Sequence, residues 1–191
     1  MWSGIWERLN NDIQIYVEMY REKGVLCFLF VAAVYGIFLF QYRVKKKKKW
    51  TVKLFFETIW KMMVAGLLGV YIYILLYIVF FSRTPGPEVK NMEFLGTYRG
   101  SWCMIYVVEN AIMLLPWGFL MPRLFSVFEK WWVCIGSGIL LSAGIEVIQY
   151  TTRLGYMELD DLWTNTLGCI IGYLLSQIIF LFFREKRKES A

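Results

Sequence analysis

The stretch that decides the fold runs from Gly144 to Tyr173 and reads GIEVIQYTTRLGYMELDDLWTNTLGCIIGY. Two apolar segments, each belonging to a run long enough to cross a bilayer, meet here at a short polar hairpin. A charge at the centre of a membrane helix costs about 2.5–3.5 kcal/mol on insertion scales, so such a side chain usually has a partner or a function. The stretch therefore predicts an integral membrane protein with a polar site.

The rest of the chain has the composition of a polytopic membrane domain. Of its 191 residues, 58% are hydrophobic and 19% are aromatic, and the mean hydropathy is +0.48. Apolar runs of sufficient length lie at about residues 25–42, 62–81, 102–121, 131–150 and 162–183. These runs predict an all-α, polytopic membrane helix bundle of about five transmembrane helices.

Four regions follow from this pattern. They are an amphipathic N-terminal segment (1–24), two N-terminal transmembrane helices with a polybasic loop (25–81), a membrane domain (82–183) and a basic tail (184–191). Residues 2–23 repeat apolar positions at helical spacing, with charges mostly between them. This pattern fits either a helix lying on the membrane surface or a helical lead-in to the first span.

The positive charge is distributed in a way that predicts the topology. The net charge is +6, and the largest basic run, Lys45–Lys49, lies directly beside an apolar segment, so we expect contact with the membrane surface and no nucleic-acid binding. With five spans, fourteen basic residues lie on one side and seven on the other. The positive-inside rule places the polylysine loop and the C-terminus in the cytoplasm. The Ser82–Ser101 loop and the acidic hairpin then share the outer face.

The lack of histidine and the spacing of the cysteines exclude several kinds of functional site. The chain has no histidine, which excludes a histidine-based catalytic dyad and ordinary haem ligation. Its four cysteines all fall in apolar segments without a short Cys-x-x-Cys spacing, so they are interpreted as buried thiols. We expect no cofactor and no metal.

The candidate site is a set of polar residues around the hairpin, here called the polar cluster. Its members are Asn110, Glu146, Gln149, Arg153, Asp160, Asp161 and Asn165. Helical spacing places three of them in one stripe on the fourth span, and two more in a second stripe on the fifth span together with Gly168 and Gly172. A short hairpin makes these helices antiparallel neighbours, so the stripes can face each other. The spacing allows Arg153 to pair with an acid and Asn165 to bond to Gln149.

The polar cluster has four interpretations. The functional one is a site for a ligand or a lipid headgroup at the outer interface. The structural one is a polar network that locks two helices, with Asp160 or Asp161 as the N-cap of the fifth span. In the third interpretation the two aspartates bind a metal ion, but the hairpin is short of further oxygen ligands. Catalysis with Glu146 as general base lacks a nucleophile or a second paired carboxylate, so the catalytic residues are unknown.

Small residues and prolines mark the helices that carry the cluster. Pro116 removes a backbone hydrogen bond in the third span, and Gly118 and Pro122 follow it. Gly168 and Gly172 stand four residues apart, which lets a neighbouring helix approach closely, within the chain or between chains.

These motifs together resemble the VanZ-like family, which is named for a membrane protein associated with teicoplanin resistance. The segment Asn110–Pro122, NAIMLLPWGFLMP, resembles the family's Asn…Pro-x-Gly-Phe-Leu-x-Pro segment. The segment Glu146–Gln149, EVIQ, resembles the family's Glu-x-x-Gln motif. The segment Leu159–Tyr173, LDDLWTNTLGCIIGY, resembles the family's Asp-Asp hairpin and the helix that follows it. The resemblance covers about Ser82 to Phe183.

The resemblance implies a protein of the bacterial cell envelope, in the cytoplasmic membrane, that lowers susceptibility to teicoplanin-type glycopeptides. The first hypothesis is a non-enzymatic protein whose polar cluster binds an amphiphilic ligand, a lipid-linked cell-wall component or a lipoglycopeptide. The second is a membrane enzyme that modifies a lipid-linked envelope substrate, with Glu146 as base and Arg153 positioning a phosphate or carboxylate. The third is a small transporter subunit, which the lack of internal repeats disfavours.

Overall fold

The computed structural model describes residues 2–47, 51–82, 85–86, 90–91, 103–155 and 157–189. In this part of the chain, five helices are long and apolar enough to cross a membrane. They are α1 (Trp2–Lys45), α2 (Val52–Leu76), α3 (Cys103–Leu124), α4 (Trp131–Thr152) and α5 (Leu159–Glu189). The predicted all-α, polytopic membrane fold with five spans is confirmed.

Short irregular elements connect these helices. A π-helical turn, Tyr77–Phe81, continues α2, and a 3₁₀ turn, Ser126–Glu129, joins α3 to α4. Two strands of two residues each, β1 (Lys90–Asn91) and β2 (Met157–Glu158), pair in parallel. The pairing is short, but it ties the segment before α3 to the hairpin before α5.

The helices extend beyond the apolar runs that predicted them. α1 begins at Trp2 and passes through Gly24, so residues 2–24 form one continuous helix with the first span. α5 begins at Leu159, three residues before its expected start. Hydropathy marks only the part of a helix that lies in hydrocarbon, whereas polar residues continue the helix beyond it. A position of residues 2–24 on the membrane surface stays a prediction.

The outer surfaces of the helices are apolar. Phe30 on α1 and Leu140 on α4 are 70% and 75% exposed, and many other large apolar side chains share this exposure. A water-soluble monomer seldom presents so much apolar surface. These faces are suited to lipid.

The chain divides into two compact units, Met1–Leu75 and Leu76–Ala191. In the first, α1 and α2 pack as an antiparallel hairpin. A Cβ atom added at Gly66 would lie 2.6 Å from the Phe28 ring, and one at Gly36 would lie 2.7 Å from Met62. Near the turn, the buried Arg43 donates to the carbonyl oxygen of Leu54 at 3.2 Å.

The second unit is built from α3, α4 and α5. Gly168 packs against the backbone of Ala111, and Gly172 packs against that of Leu115, four residues further along both helices. The contacts advance in the same direction, so α3 and α5 are parallel and α4 runs back between their ends. Leu114, Cys134 and Cys169, one from each helix, are fully buried at the centre.

Pro116 and Pro122 lie inside α3, which continues through both to Leu124. Each proline lacks the N–H group that would bond to the preceding turn. Membrane helices tolerate this loss where neighbouring helices cover the backbone. Here α5 packs closely at Gly118, between the two prolines.

Candidate functional site

The site begins where α4 ends. Arg153 has φ 59° and ψ 21°, in the left-handed region, and follows the last helical residue. Its N–H donates to the carbonyl oxygen of Tyr150 at 3.2 Å, and the N–H of Leu154 donates to that of Gln149 at 3.0 Å. These two bonds form a Schellman motif, which ends the helix and turns the chain into the hairpin.

The segment before α3 meets this hairpin. The N–H of Gly86 donates to the carbonyl oxygen of Arg153 at 2.8 Å, and Lys90 and Asn91 pair with Met157 and Glu158. The two loops that topology assigned to one face therefore lie at the same end of this unit. Of the Ser82–Ser101 loop, the structure describes residues 82, 85–86 and 90–91.

Glu146 connects α4 to the start of α5. Its side chain is 3% exposed, and Oε2 accepts a hydrogen bond from the backbone N–H of Glu158 at 3.1 Å. Gln149, one turn further along α4, is equally buried. A carboxylate in this position holds the incoming strand against α4, because a charge-assisted hydrogen bond is stronger than a neutral one.

Asp160 and Asp161 lie in the first turn of α5. The helix begins at Leu159, so neither aspartate occupies the N-cap position expected from the sequence. Their charge still suits this place, because the N-terminal end of a helix carries a partial positive charge. Asp160 is buried, and its carbonyl oxygen accepts a hydrogen bond from the Thr164 hydroxyl at 2.9 Å.

Asn110 joins the cluster from α3. Its amide nitrogen donates to Oδ1 of Asp161 at 2.5 Å, across 51 positions of sequence. This hydrogen bond joins α3 to the first turn of α5. Glu109, next to Asn110 in sequence, is exposed.

Asn165 forms the base of the cluster. It is 0% exposed, and its amide nitrogen donates to the hydroxyl oxygen of Ser142 on α4 at 3.0 Å, instead of bonding to Gln149. In the described part of the chain, its oxygen Oδ1 has no hydrogen-bond partner. Sequence reasoning missed Ser142, although its position four residues before Glu146 places it on the same face of α4.

Two glycines bring α5 against α3 so that these polar groups meet. A Cβ atom at Gly168 would overlap with the carbonyl oxygen of Ala111, and one at Gly172 with that of Leu115. Gly118 on α3 meets the carbonyl oxygen of Cys169 in the same way. The glycine-lined stripe of α5 thus faces α3 within the chain, while Asn165 bonds to Ser142 on α4.

The arrangement suits hydrogen bonding and charge recognition. It joins members of the cluster from α3, α4 and α5, with buried acids from two helices and an exposed Arg153 at the rim. Within the described residues, no three His, Cys, Asp or Glu side chains are grouped to hold a metal ion. Cys134 and Cys169 are free thiols, buried at the helix core away from the hairpin.

A five-span helical membrane protein with a polar cluster at one end is the class that this fold and site define. The chain belongs to the VanZ/LLP1 family, because the sequence model of that family matches residues 25–181. The match takes in the first two spans as well as the part that carries the motifs. No curated protein and no solved structure matches the chain.

Proposed function

We propose that the polar cluster binds an amphiphilic ligand or a lipid-linked cell-wall component at the outer face of the bacterial cytoplasmic membrane. By occupying or shielding that component, the protein lowers susceptibility to teicoplanin-type glycopeptides. The family assignment supports the physiological part of the proposal. The geometry of the cluster supports the binding part.

The unpartnered oxygen of Asn165 carries the proposal. A polar network that only locks helices satisfies its buried groups, because an unpaired acceptor in a dry interior costs free energy. Here Asn165 Oδ1, at the base of the cluster, accepts no hydrogen bond from the described residues. A donor from a ligand would complete the network.

Charge defines the kind of ligand group that fits. Four acids converge on the hairpin end, and Arg153 is the basic member of the cluster. The acids are Glu146, Glu158, Asp160 and Asp161. Carboxylate oxygens accept hydrogen bonds, so they are complementary to the hydroxyl, amide N–H or amino groups that sugars and peptides carry.

The surroundings of the cluster suit an amphiphile. Trp163 and Leu167 on α5 are exposed, and so are Val147 and Ile148 on α4. These apolar side chains stand beside cluster residues on both helices. A ligand with a polar head and an acyl chain can therefore place its head in the cluster and its chain along the helices.

The test is glycopeptide susceptibility in a Gram-positive host. Cells express the wild type or Asp161→Asn, with membrane abundance matched by immunoblot, and teicoplanin and vancomycin inhibition are measured. Asp161→Asn removes the charge that accepts from Asn110 but keeps the shape. We expect the wild type to protect against teicoplanin and the variant to lose that protection.

A matched control is Glu57→Gln. It removes one carboxylate charge at an exposed position on α2, outside the cluster. We expect it to protect like the wild type. Equal loss of protection in both variants, or loss that follows protein abundance, would contradict binding at the cluster.

Two results would redirect the assignment. A lipid or wall-precursor profile that changes with the wild type and reverts with Glu146→Gln would favour the enzyme. Ligand flux in vesicles reconstituted with the protein would favour the transporter.

A further inference from the structure

A second group of polar side chains lies at the end of this unit opposite the hairpin. Arg123 occupies the last turn of α3, half-buried, and its guanidinium stacks over the Phe180 ring at 4.6 Å from the centroid. Within the described residues it makes no hydrogen bond or ion pair. The exposed carboxylate of Glu129 stabilises the positive charge of Arg123 electrostatically. The Tyr173 hydroxyl donates to the backbone oxygen of Glu129 at 2.7 Å.

The packing of α3 on α5 places two further donors beside Arg123. Gly168 lies against Ala111 and Gly172 against Leu115. One further step of four residues on both helices brings Ser176 level with Phe119, and the next brings Phe180 level with Arg123, as the stacked guanidinium confirms. Ser176 and its neighbour Gln177 thus lie four and three residues, about one helical turn, before Phe180.

Three polar atoms of this group are buried but lack a hydrogen-bond partner among the described residues. They are Arg123 Nε, Ser176 Oγ and Gln177 Nε2. Ser176 is only 1% exposed. Each of the three carries a hydrogen that it can donate. Because hydrocarbon offers no water to satisfy them, the matching partner is a group with several acceptor oxygens.

We propose that this donor cluster (Arg123, Ser176 and Gln177) binds a phosphate group, carried by an anionic lipid headgroup or free in solution. A guanidinium presents its donors in a planar fork that matches phosphate oxygens. The guanidinium lies over the Phe180 ring in this structure, so the phosphate engages Arg123 as its side chain moves off the ring. Basic pockets between helices at the cytoplasmic side are typical headgroup sites, and the topology predicted from loop charges places this end there.

Native mass spectrometry of the full chain in dodecyl maltoside, a detergent without phosphate, tests the proposal. The probes are dioleoyl-phosphatidylglycerol and a diacylglycerol with the same acyl chains. The wild type is expected to retain phosphatidylglycerol and to release the diacylglycerol. Equal retention of the two lipids would overturn the proposal, because chains alone would then account for binding.

Arg123→Gln and Lys130→Gln form a matched pair. Both remove one positive charge at the same end, and Lys130 also stacks on an aromatic ring, Trp132, at 5.7 Å. We expect Arg123→Gln to weaken phosphatidylglycerol binding about tenfold, as the loss of a charge-assisted bond implies, and Lys130→Gln about twofold or less. Equal weakening in the two variants would overturn the site.

Ser176→Ala separates binding from folding. It removes a buried donor with almost no change in volume, so thermal unfolding should stay at or above the wild-type temperature while phosphatidylglycerol binding falls. Unchanged binding in Ser176→Ala and Arg123→Gln would overturn the proposal. Adding millimolar inorganic phosphate to the lipid-bound protein distinguishes the two sources of phosphate. Displacement of the lipid, lost in Arg123→Gln, identifies free phosphate as the ligand. No displacement identifies the lipid headgroup as the ligand.

Discussion

Arg153 ends α4 at the rim of the polar cluster, where we propose a second role for its side chain. Its backbone adopts the left-handed conformation that ends α4, at φ 59°. Glycine is the usual residue in this place, because a side chain costs about 1 kcal/mol there. A basic residue therefore occupies a backbone position that disfavours a side chain. We expect this if its guanidinium contributes to the proposed binding site.

Arg153→Gly and Arg153→Ala separate the two roles. Both remove the guanidinium, but glycine relieves the backbone strain, so the glycine variant should be more stable than the alanine variant by about 1 kcal/mol. Thermal unfolding in detergent measures this difference. Both variants should lose teicoplanin protection to the same extent. If teicoplanin protection instead falls with thermal stability, the role of Arg153 is limited to ending α4.

The pairing of α3 with α5 is the element on which the polar cluster depends. Gly168 and Gly172 let the two backbones approach until carbonyl oxygens fill the space where Cβ atoms would lie. This approach brings Asn110 within 2.5 Å of Asp161. In lipid, helices associate through such close packing and through hydrogen bonds between them, because the hydrophobic effect no longer favours their contact.

Gly172→Ala should separate these two helices. The added methyl group meets the backbone of Leu115, which cannot move aside as a flexible side chain can, so we expect a loss of about 1–3 kcal/mol from overpacking. The control is Gly144→Ala on α4, where no atom lies within 4 Å of the added Cβ, and we expect no loss. Thermal unfolding of the purified variants checks both. Equal destabilisation would contradict the close approach.

At the scale of the whole molecule, the second unit carries different chemistry at its two ends. Acids and amides gather at the hairpin end, around Glu146 and Asp161, whereas unpartnered donors gather at the end of α3, around Arg123. The basic residues Lys130 and those of the tail (184–188) belong to the same end of this unit as Arg123. The proposed outer-face ligand and the proposed phosphate would therefore bind at opposite ends of this unit.

Cysteine labelling tests this orientation. Gly86→Cys and Lys46→Cys place a thiol at two exposed positions, one beside the hairpin and one in the polylysine loop. In intact cells, a membrane-impermeant maleimide should label Gly86→Cys, whereas Lys46→Cys should react only after the membrane is permeabilised. The wild type supplies the background from its native cysteines. The reverse pattern would place the polar cluster in the cytoplasm.

The sequence predicted the five spans, but not all of the contacts among the polar residues that it grouped. Helical spacing placed Glu146 and Gln149 on one face of α4, where both are buried. It did not predict Ser142 as the partner of Asn165, because a serine in an apolar helix gives no distinctive signal. Nor did it predict the donors near Arg123, since Ser176 and Gln177 stand alone in an apolar run.

By itself, the amino-acid sequence determined the class of the protein and its family motifs. Apolar length sets the number of spans, because a helix must match the thickness of the bilayer. Only the tertiary structure decided that the glycine stripe of α5 packs on α3, that Asn110 bonds to Asp161, and that Asn165 Oδ1 and Arg123 Nε are left without protein partners. Those facts depend on the distance and register between helices, which local spacing does not specify.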